Sequence, residues 1–417
     1  MKRWHWTIVV AAGLLAGGAQ AATKTYELTI TGTKEEQRHV PVRVPLAVPP
    51  ELAAARSVQV RVDGQTIDGQ LTAPSLLAQP VPTPGDAVAR ELHFILPHIK
   101  AGQTLAASAT LATEPSSKAV AFRWHDTPGK FTELRFGDRP VLRYLYQPLD
   151  DSSKESREQT YKVFHHVFDP SGARLVTKGA GGQYTHHRGL FYGFNRVTYG
   201  DGKKCDVWHC GGDAHQSHQK FLSDEEGPVL GRHRLAIHWH GVGKEVFAEE
   251  ERELTAYHVP GGILIEFASR LKPVISPVHL DGDPQHAGFH FRADNEVASK
   301  TNKQTIYIRP TGADKPGATR NWPQFKDHVN LPWNAMSFVL GDQRYTVCYL
   351  DRPDNPKEAR FSERDYGRLG SYFVHELTEQ KPLDVNYRVW LQEGQMDVPE
   401  VAAHSARFVQ PPRVTVK

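Results

Sequence analysis

The sequence predicts an all-β protein: a small β-sandwich followed by a large antiparallel β-sandwich. Three observations carry the all-β prediction. Apolar residues recur two apart over short runs, long helical periodicity is scarce, and turn residues punctuate the runs. Tyr26 to Ile30, Val58 to Val62 and Leu92 to Leu96 alternate early in the chain. Val141 to Tyr146, Leu235 to Trp239, Ile263 to Phe267, Thr305 to Ile308, Tyr345 to Leu350 and Tyr387 to Leu391 follow. Between them stand Asp63-Gly64, Pro82-Thr-Pro-Gly85, Pro260-Gly-Gly262, Asp281-Gly282 and Gly341-Asp342. Strands that bury one face in this way suit sheets packed against each other.

The domain plan follows from composition. Residues 1–21 read as a signal peptide: a basic Met1-Lys2-Arg3, an apolar stretch from Ile8 to Ala16, and a small-residue site at Ala19-Gln20-Ala21. Cleavage after Ala21 predicts a periplasmic or secreted protein of 396 residues and lowers the formal net charge from +3 to +1. Such near balance excludes the clustered basic excess of a nucleic-acid binder. No later apolar run approaches the roughly 18 residues that span a bilayer, so no transmembrane anchor is expected. Residues 22–115 read as an accessory β-sandwich, Ala107 to Lys118 as a linker rich in Ala, Ser and Thr, and residues 120–410 as the large domain. Cys205, Cys210 and Cys348 are too few for a disulfide framework.

Histidine is the unusual component. The chain has 22, and ten fall between Val163 and His240, where an even spread would place about four. Histidine suits both metal ligation and proton transfer near neutral pH. In Tyr184-Thr-His-His-Arg-Gly189, a strand would turn His186 and Arg188 to one side and His187 to the other, unless the flanking glycines let the backbone turn. Asp206-Val-Trp-His-Cys-Gly-Gly-Asp-Ala-His-Gln-Ser-His218 reads as a loop; it either gathers His209, Asp213, His215 and His218 around a divalent metal or is a polar surface loop. His238-Trp-His240 places two imidazoles on one strand face, so the metal candidates are His209, His215, His218, His238 and His240.

The segment His286-Ala-Gly-Phe-His-Phe-Arg292 has the clearest pattern. Ala287, Phe289 and Phe291 alternate toward a core, while His286, Gly288, His290 and Arg292 share the other face, an odd composition for a solvated surface. Glu266 is a candidate general base, Asp351 stands at a strand end, and Trp333 and Tyr366 offer aromatic surface for sugar rings. No phosphate-binding loop, nucleotide-binding glycine fingerprint, nucleophile elbow or H-E-x-x-H zinc motif is present.

Several of these segments, taken in order, resemble the PmoA-like family of bacterial proteins. They are Pro140-Val-Leu-Arg-Tyr144, Phe164-His-His-Val-Phe-Asp-Pro-Ser-Gly172, His186-His-Arg-Gly-Leu190, His286-Ala-Gly-Phe, Trp333, Asp351-Arg-Pro-Asp-Asn-Pro356 and Tyr366-Gly367. The resemblance covers about residues 120–395, and its most specific parts are His-His-Arg-Gly and Asp-x-Pro-x-Asn-Pro. The family is often labelled "methane oxygenase", and its members are similar in plan to galactose mutarotase-type sandwiches. That second similarity implies a histidine acid and a carboxylate base, parts for which His187, His286 and Glu266 are the candidates. His186, Arg188, His290, Arg292, Trp333, Asp351 and Tyr366 would then line a groove for a glycan or a sugar-derived small molecule. The expectation is an exported carbohydrate-active enzyme, of lyase, hydrolase or epimerase type, with no required cofactor beyond a possible divalent metal. A non-catalytic glycan-binding protein and a metal-dependent oxygenase are the alternatives.

Overall fold

The structure, a computed structural model, describes residues 22–115, 120–283 and 285–417; the signal peptide read from the sequence lies outside the described residues. Nearly every alternating run is a strand, because burying each second side chain between sheets is what that spacing allows. The first domain is a seven-stranded sheet in the order Gln37–Val48, Val88–Ile99, Gln65–Thr72, Ser57–Val62, Thr104–Ala112, Thr23–Thr31 and Arg413–Val416. It closes over its own core, which includes Val42, Val44, Val60, Leu92 and Phe94.

Two details differ from the sequence reading. Ala107 to Ala112 is no linker: it continues the strand Thr104–Ala112, pairs on both sides, and buries Leu105, Ala107, Ala109 and Leu111. Small residues in strict alternation still make a strand when both neighbours are tightly packed. The chain's last strand, Arg413–Val416, also returns to pair with Thr23–Thr31, so residues beyond 410 complete the first domain. A helix at Val398–Val409 precedes it, started by a capping box in which Asp397 accepts from the Glu400 amide and Glu400 accepts from the Asp397 amide.

The large domain packs an eight-stranded sheet against a nine-stranded one. The eight-stranded sheet runs Arg360–Arg364, Arg368–Tyr372, Ala287–Arg292, Leu190–Phe194, Phe164–Val167, Arg139–Leu145, Phe131–Phe136 and Phe122–Thr127. Leu230–His240, Val246–Tyr257, Ile263–Pro273 and Leu383–Glu393 lie consecutively in the nine-stranded sheet. Their inner faces meet in one core, where Phe289 stacks on Phe267 at 4.2 Å and on Tyr387 at 5.1 Å between ring centroids. Truncating such a phenylalanine costs about 3–5 kcal/mol. Since Phe289 and Phe291 point into this core, His290 and Arg292 must project from the outer face of the eight-stranded sheet, as the alternation predicted.

The two domains are stitched together by buried polar contacts. Gln70 Oε1 accepts from the amides of Val229 at 3.1 Å and Leu230 at 2.9 Å, and Glu253 accepts from the Leu76 amide at 3.0 Å. Among the described residues no helix is long and apolar enough to cross a membrane.

Candidate functional site

Two loops cover the outer face of the eight-stranded sheet where His290 and Arg292 emerge. The first, between Thr177 and Gly189, is anchored by the strand it covers: the Lys178 amide donates to the Arg292 carbonyl at 3.1 Å, and the Arg292 amide to the Gly189 carbonyl at 2.8 Å. Gly189 has φ +44°, and a Cβ there would meet the His165 carbonyl oxygen at 2.1 Å, so only glycine lets the loop approach this closely. Within it the backbone turns, the His187 amide donating to Tyr184 O at 2.9 Å with Tyr184 at φ +55°. The turn defeats the strand alternation expected for His186 and His187, whose rings lie 4.2 Å apart in the same site.

The second loop is built around Asp206. Its Oδ1 accepts from the amides of Trp208 at 3.0 Å and His209 at 2.7 Å, and its Oδ2 accepts from His209 Nδ1 at 2.7 Å. Asp283 does the same for His286, accepting from Nδ1 at 2.8 Å. Each of these histidines therefore has Nδ1 held by a carboxylate three residues earlier, which leaves Nε2 free. His186, His209 and His286 come together so that one ring nitrogen from each lies within 4.8 Å of the others. The side chains of His209 and His286 are 35% and 28% exposed, so the cluster opens to solvent.

Beneath the cluster lies a dry layer of His187, His290 and Trp208 with a set of buried cations. His290 donates from Nε2 to the Ala287 carbonyl at 2.8 Å, which makes its Nδ1 the acceptor facing Arg368 at 3.4 Å. Arg368 also donates to Ser362 Oγ and to the Gln285 carbonyl, and Arg292 to the carbonyls of Ala293 and Tyr366. Arg188 donates to the carbonyls of Thr185, Gln159 and Glu158 while stacking 4.2 Å over Tyr161. Lys162 reaches the carbonyls of Trp208 and His186, and Lys178 those of Gly179, Gly181 and His187. All five cations are buried, and among the described residues none of them forms an ion pair with a carboxylate. Arg292 Nε and Nη2, Arg368 Nε, and both ring nitrogens of His187 have no hydrogen-bond partner.

The electrostatics follow from this packing. Burial, then the fields of Arg292 and Arg188, pulls the Lys178 ammonium down to about 7. Burial chiefly, with Arg188 adding to it, takes Lys162 down to about 8, and burial, reinforced by Arg368, takes Arg292 to about 10. Burial and the fields of Arg368 and His186 hold His187 well below the usual histidine range, so its imidazole is neutral. Although burial opposes it, hydrogen bonds from His286 and the Gln285 amide keep the Asp283 carboxyl well below the usual carboxylate range. The site thus combines the neutral imidazole of His187 with buried cations that no carboxylate contacts directly.

The candidates from the sequence divide sharply. His186, His187, His209, His286, His290, Arg188 and Arg292 converge here, with Tyr366 at the edge, its ring 6.0 Å from His187 and 4.8 Å from the Arg292 guanidinium. The other four metal candidates do not join His209. His215 and His240 stack on each other at 3.9 Å, with His240 bonded to Ser217, while His218 packs against Tyr144 and Phe221 and His238 faces Glu249. The paired strands His215–Glu225 and Leu230–His240 hold them on the nine-stranded sheet, away from the loop that carries His209.

Glu266 is likewise absent from the site. It is locked in an ion pair with Arg388 and lines a separate cavity of about 330 Å³ with Arg43 and Arg352. Trp333 is 3% exposed and packs with Leu350, Cys348 and Trp390 in a core cluster, so it presents no face to a sugar. Asp351 is buried and accepts from Asn355 and Lys357, each at 2.6 Å, holding its own loop closed. The sequence reading passed over Asp206, Asp283, Lys162, Lys178, Trp208 and Arg368. The two carboxylates had a readable signal, the repeated Asp-x-x-His of Asp206–His209 and Asp283–His286.

The sequence model of a family of unknown function, DUF6807, matches residues 132–406. The chain belongs to this family. The matched range contains every residue of the site, so the histidine cluster and its cationic floor both lie inside the DUF6807 portion. No curated protein matches the chain.

Proposed function

We propose that this DUF6807 protein is an exported carbohydrate-active enzyme whose substrate carries a carboxylate, as a uronic-acid residue of a glycan does. One observation carries the reading: among the described residues, five buried cations stand beneath the histidines and none is ion-paired with a carboxylate. An unpaired buried charge costs several kcal/mol, so a fold gains nothing from five unless a ligand supplies the counter-charge. The unpartnered N–H groups of Arg292 and Arg368 are of the kind that grip a carboxylate by two parallel bonds. The resemblance read from the sequence to mutarotase-type sandwiches is compatible with a sugar, and a fold-level resemblance does not select a reaction.

His187 is the residue for proton transfer. Its imidazole is neutral, shielded from water and free at both nitrogens. Taking a proton from the carbon next to the bound carboxylate would make His187 an imidazolium and the substrate an enolate, whose added negative charge the guanidinium groups stabilise. Delivery of a solvent proton to the opposite face, with His187 then releasing its own proton to solvent, gives an epimer; departure of a β-substituent oxygen that takes the proton back from His187 gives an unsaturated product. The test is product analysis with uronate-containing and neutral oligosaccharides. Turnover is expected for the uronates alone, falling about 10²–10⁴-fold in a folded His187→Ala variant. Binding without any product would make this a glycan-binding protein instead, and unchanged turnover in the variant would remove His187 from the chemistry.

A further inference from the structure

The three histidines at the mouth of the site have a feature the substrate reading does not use. An imidazole that only moves protons needs one orienting partner and a path to the substrate. Here three imidazoles from three separate segments converge on one point. Two of them are oriented by the same device, a carboxylate three residues upstream gripping Nδ1 at 2.7–2.8 Å. The third, His186, has its Nε2 shut off from solvent with no hydrogen-bond partner. Carboxylate–histidine pairs of this kind fix the tautomer and ring orientation of metal ligands and raise their basicity.

From this geometry we infer that His186, His209 and His286 form a binding site for a divalent transition-metal ion, with zinc the expected occupant. Three imidazoles with the remaining position open is a ligand set that zinc accepts, at nitrogen distances of about 2.0–2.1 Å. Nitrogens held that way are about 3.3 Å apart in a tetrahedral arrangement, so nitrogens now within 4.8 Å close on the ion by small side-chain rotations. His209 and His286 stand in loops with their side chains 35% and 28% exposed, which leaves solvent space for these rotations. The charges also balance locally: Asp206 and Asp283 bring two negative charges behind the ligands, matching one divalent ion despite the cationic layer below. The ring stack of His215 and His240 lacks this design. Its Nδ1 atoms bond to the carbonyls of Asp213 and Lys244, and His240 Nε2 is taken by Ser217.

The metal site stands on different atoms from the carboxylate-binding floor, and its test does not read turnover. The full chain, produced without a metal-affinity tag, is stripped with chelator, reconstituted with zinc or cobalt(II), dialysed and analysed for bound metal. One ion per chain is expected, with cobalt(II) giving the visible absorption of a nitrogen-ligated tetrahedral site. A His209→Ala/His286→Ala variant is expected to hold none, Asp206→Asn to bind about 10–100-fold more weakly, and His215→Ala/His240→Ala to bind as the parent does. Circular dichroism of each variant establishes that it is folded. Absence of stoichiometric metal in the parent overturns the inference, which needs no variant to fold. Metal retained by a folded His209→Ala/His286→Ala variant overturns it as well.

Discussion

The molecule buries arginines in two ways, and the contrast identifies its working surface. In and around the nine-stranded sheet the buried arginines arrive with an acid. Arg252 is forked onto Glu250 by two bonds of 2.8 Å, Arg309 is held by Glu363 and by Asp314 at 2.7 Å, and Arg388 is held by Glu266. On the outer face of the eight-stranded sheet Arg188, Arg292 and Arg368 are as deeply buried and have only carbonyls, a hydroxyl and an imidazole for company. The first kind is architecture, complete in itself. The second is charge held ready for something the chain does not contain.

That contrast breaks most visibly under mutation. Glu250→Ala strands the fully buried Arg252, which has no other acid, and is expected to cost about 3–5 kcal/mol in denaturant unfolding. Arg292→Met removes a cation that has no acid to strand, so it is expected to change stability by less than about 1 kcal/mol, or to raise it. Equal destabilisation by the two would show that the floor of the site is structural after all.

A smaller effect sharpens the same point through pH. Lys178 titrates at about 7 in the folded protein against 10.5 ordinarily, because burial and its cationic neighbours disfavour the ammonium. A folded value below the unfolded one means that the charged lysine opposes folding. Its penalty is complete below about pH 7 and fades as pH rises from there toward 10.5. Thermal unfolding of the ligand-free protein is therefore expected to gain stability from this group across that window, and Lys178→Met to remove the gain. A parent and variant with superimposable pH profiles would contradict it. For a bound carboxylate the sign reverses, since affinity drops as Lys178 loses its proton.

How much of this could be read from the sequence depended on whether a signal was local. The strands were legible because alternation is local, and so was the face carrying His290 and Arg292, since Phe289 and Phe291 had to take the core side. His186 and His187 were legible as members of one groove, and the turn with Tyr184 at positive φ, which the flanking glycines allowed for, brings their rings together where a strand would have parted them. His215, His218, His238 and His240 were overvalued for the opposite reason: they crowd in sequence, yet two paired strands of the nine-stranded sheet hold them apart from the loop that carries His209. Lys162 and Lys178 gave no warning, since a single lysine acquires its meaning from burial among segments far away in the chain. The helix at Val398–Val409 went unnoticed although Asp397 and Glu400 announced its start.

The central claim is that the uncompensated cations select a carboxylate, and titration calorimetry on the parent and Arg292→Met tests it most directly. With galacturonate and galactose as the paired probes, the parent is expected to prefer the acid by about tenfold or more, the equivalent of one charge-assisted hydrogen bond of about 1.5–3 kcal/mol. Arg292→Met is expected to lose that preference while remaining folded. Equal affinity of the parent for acid and neutral sugar, or a preference that survives in Arg292→Met, would contradict the account.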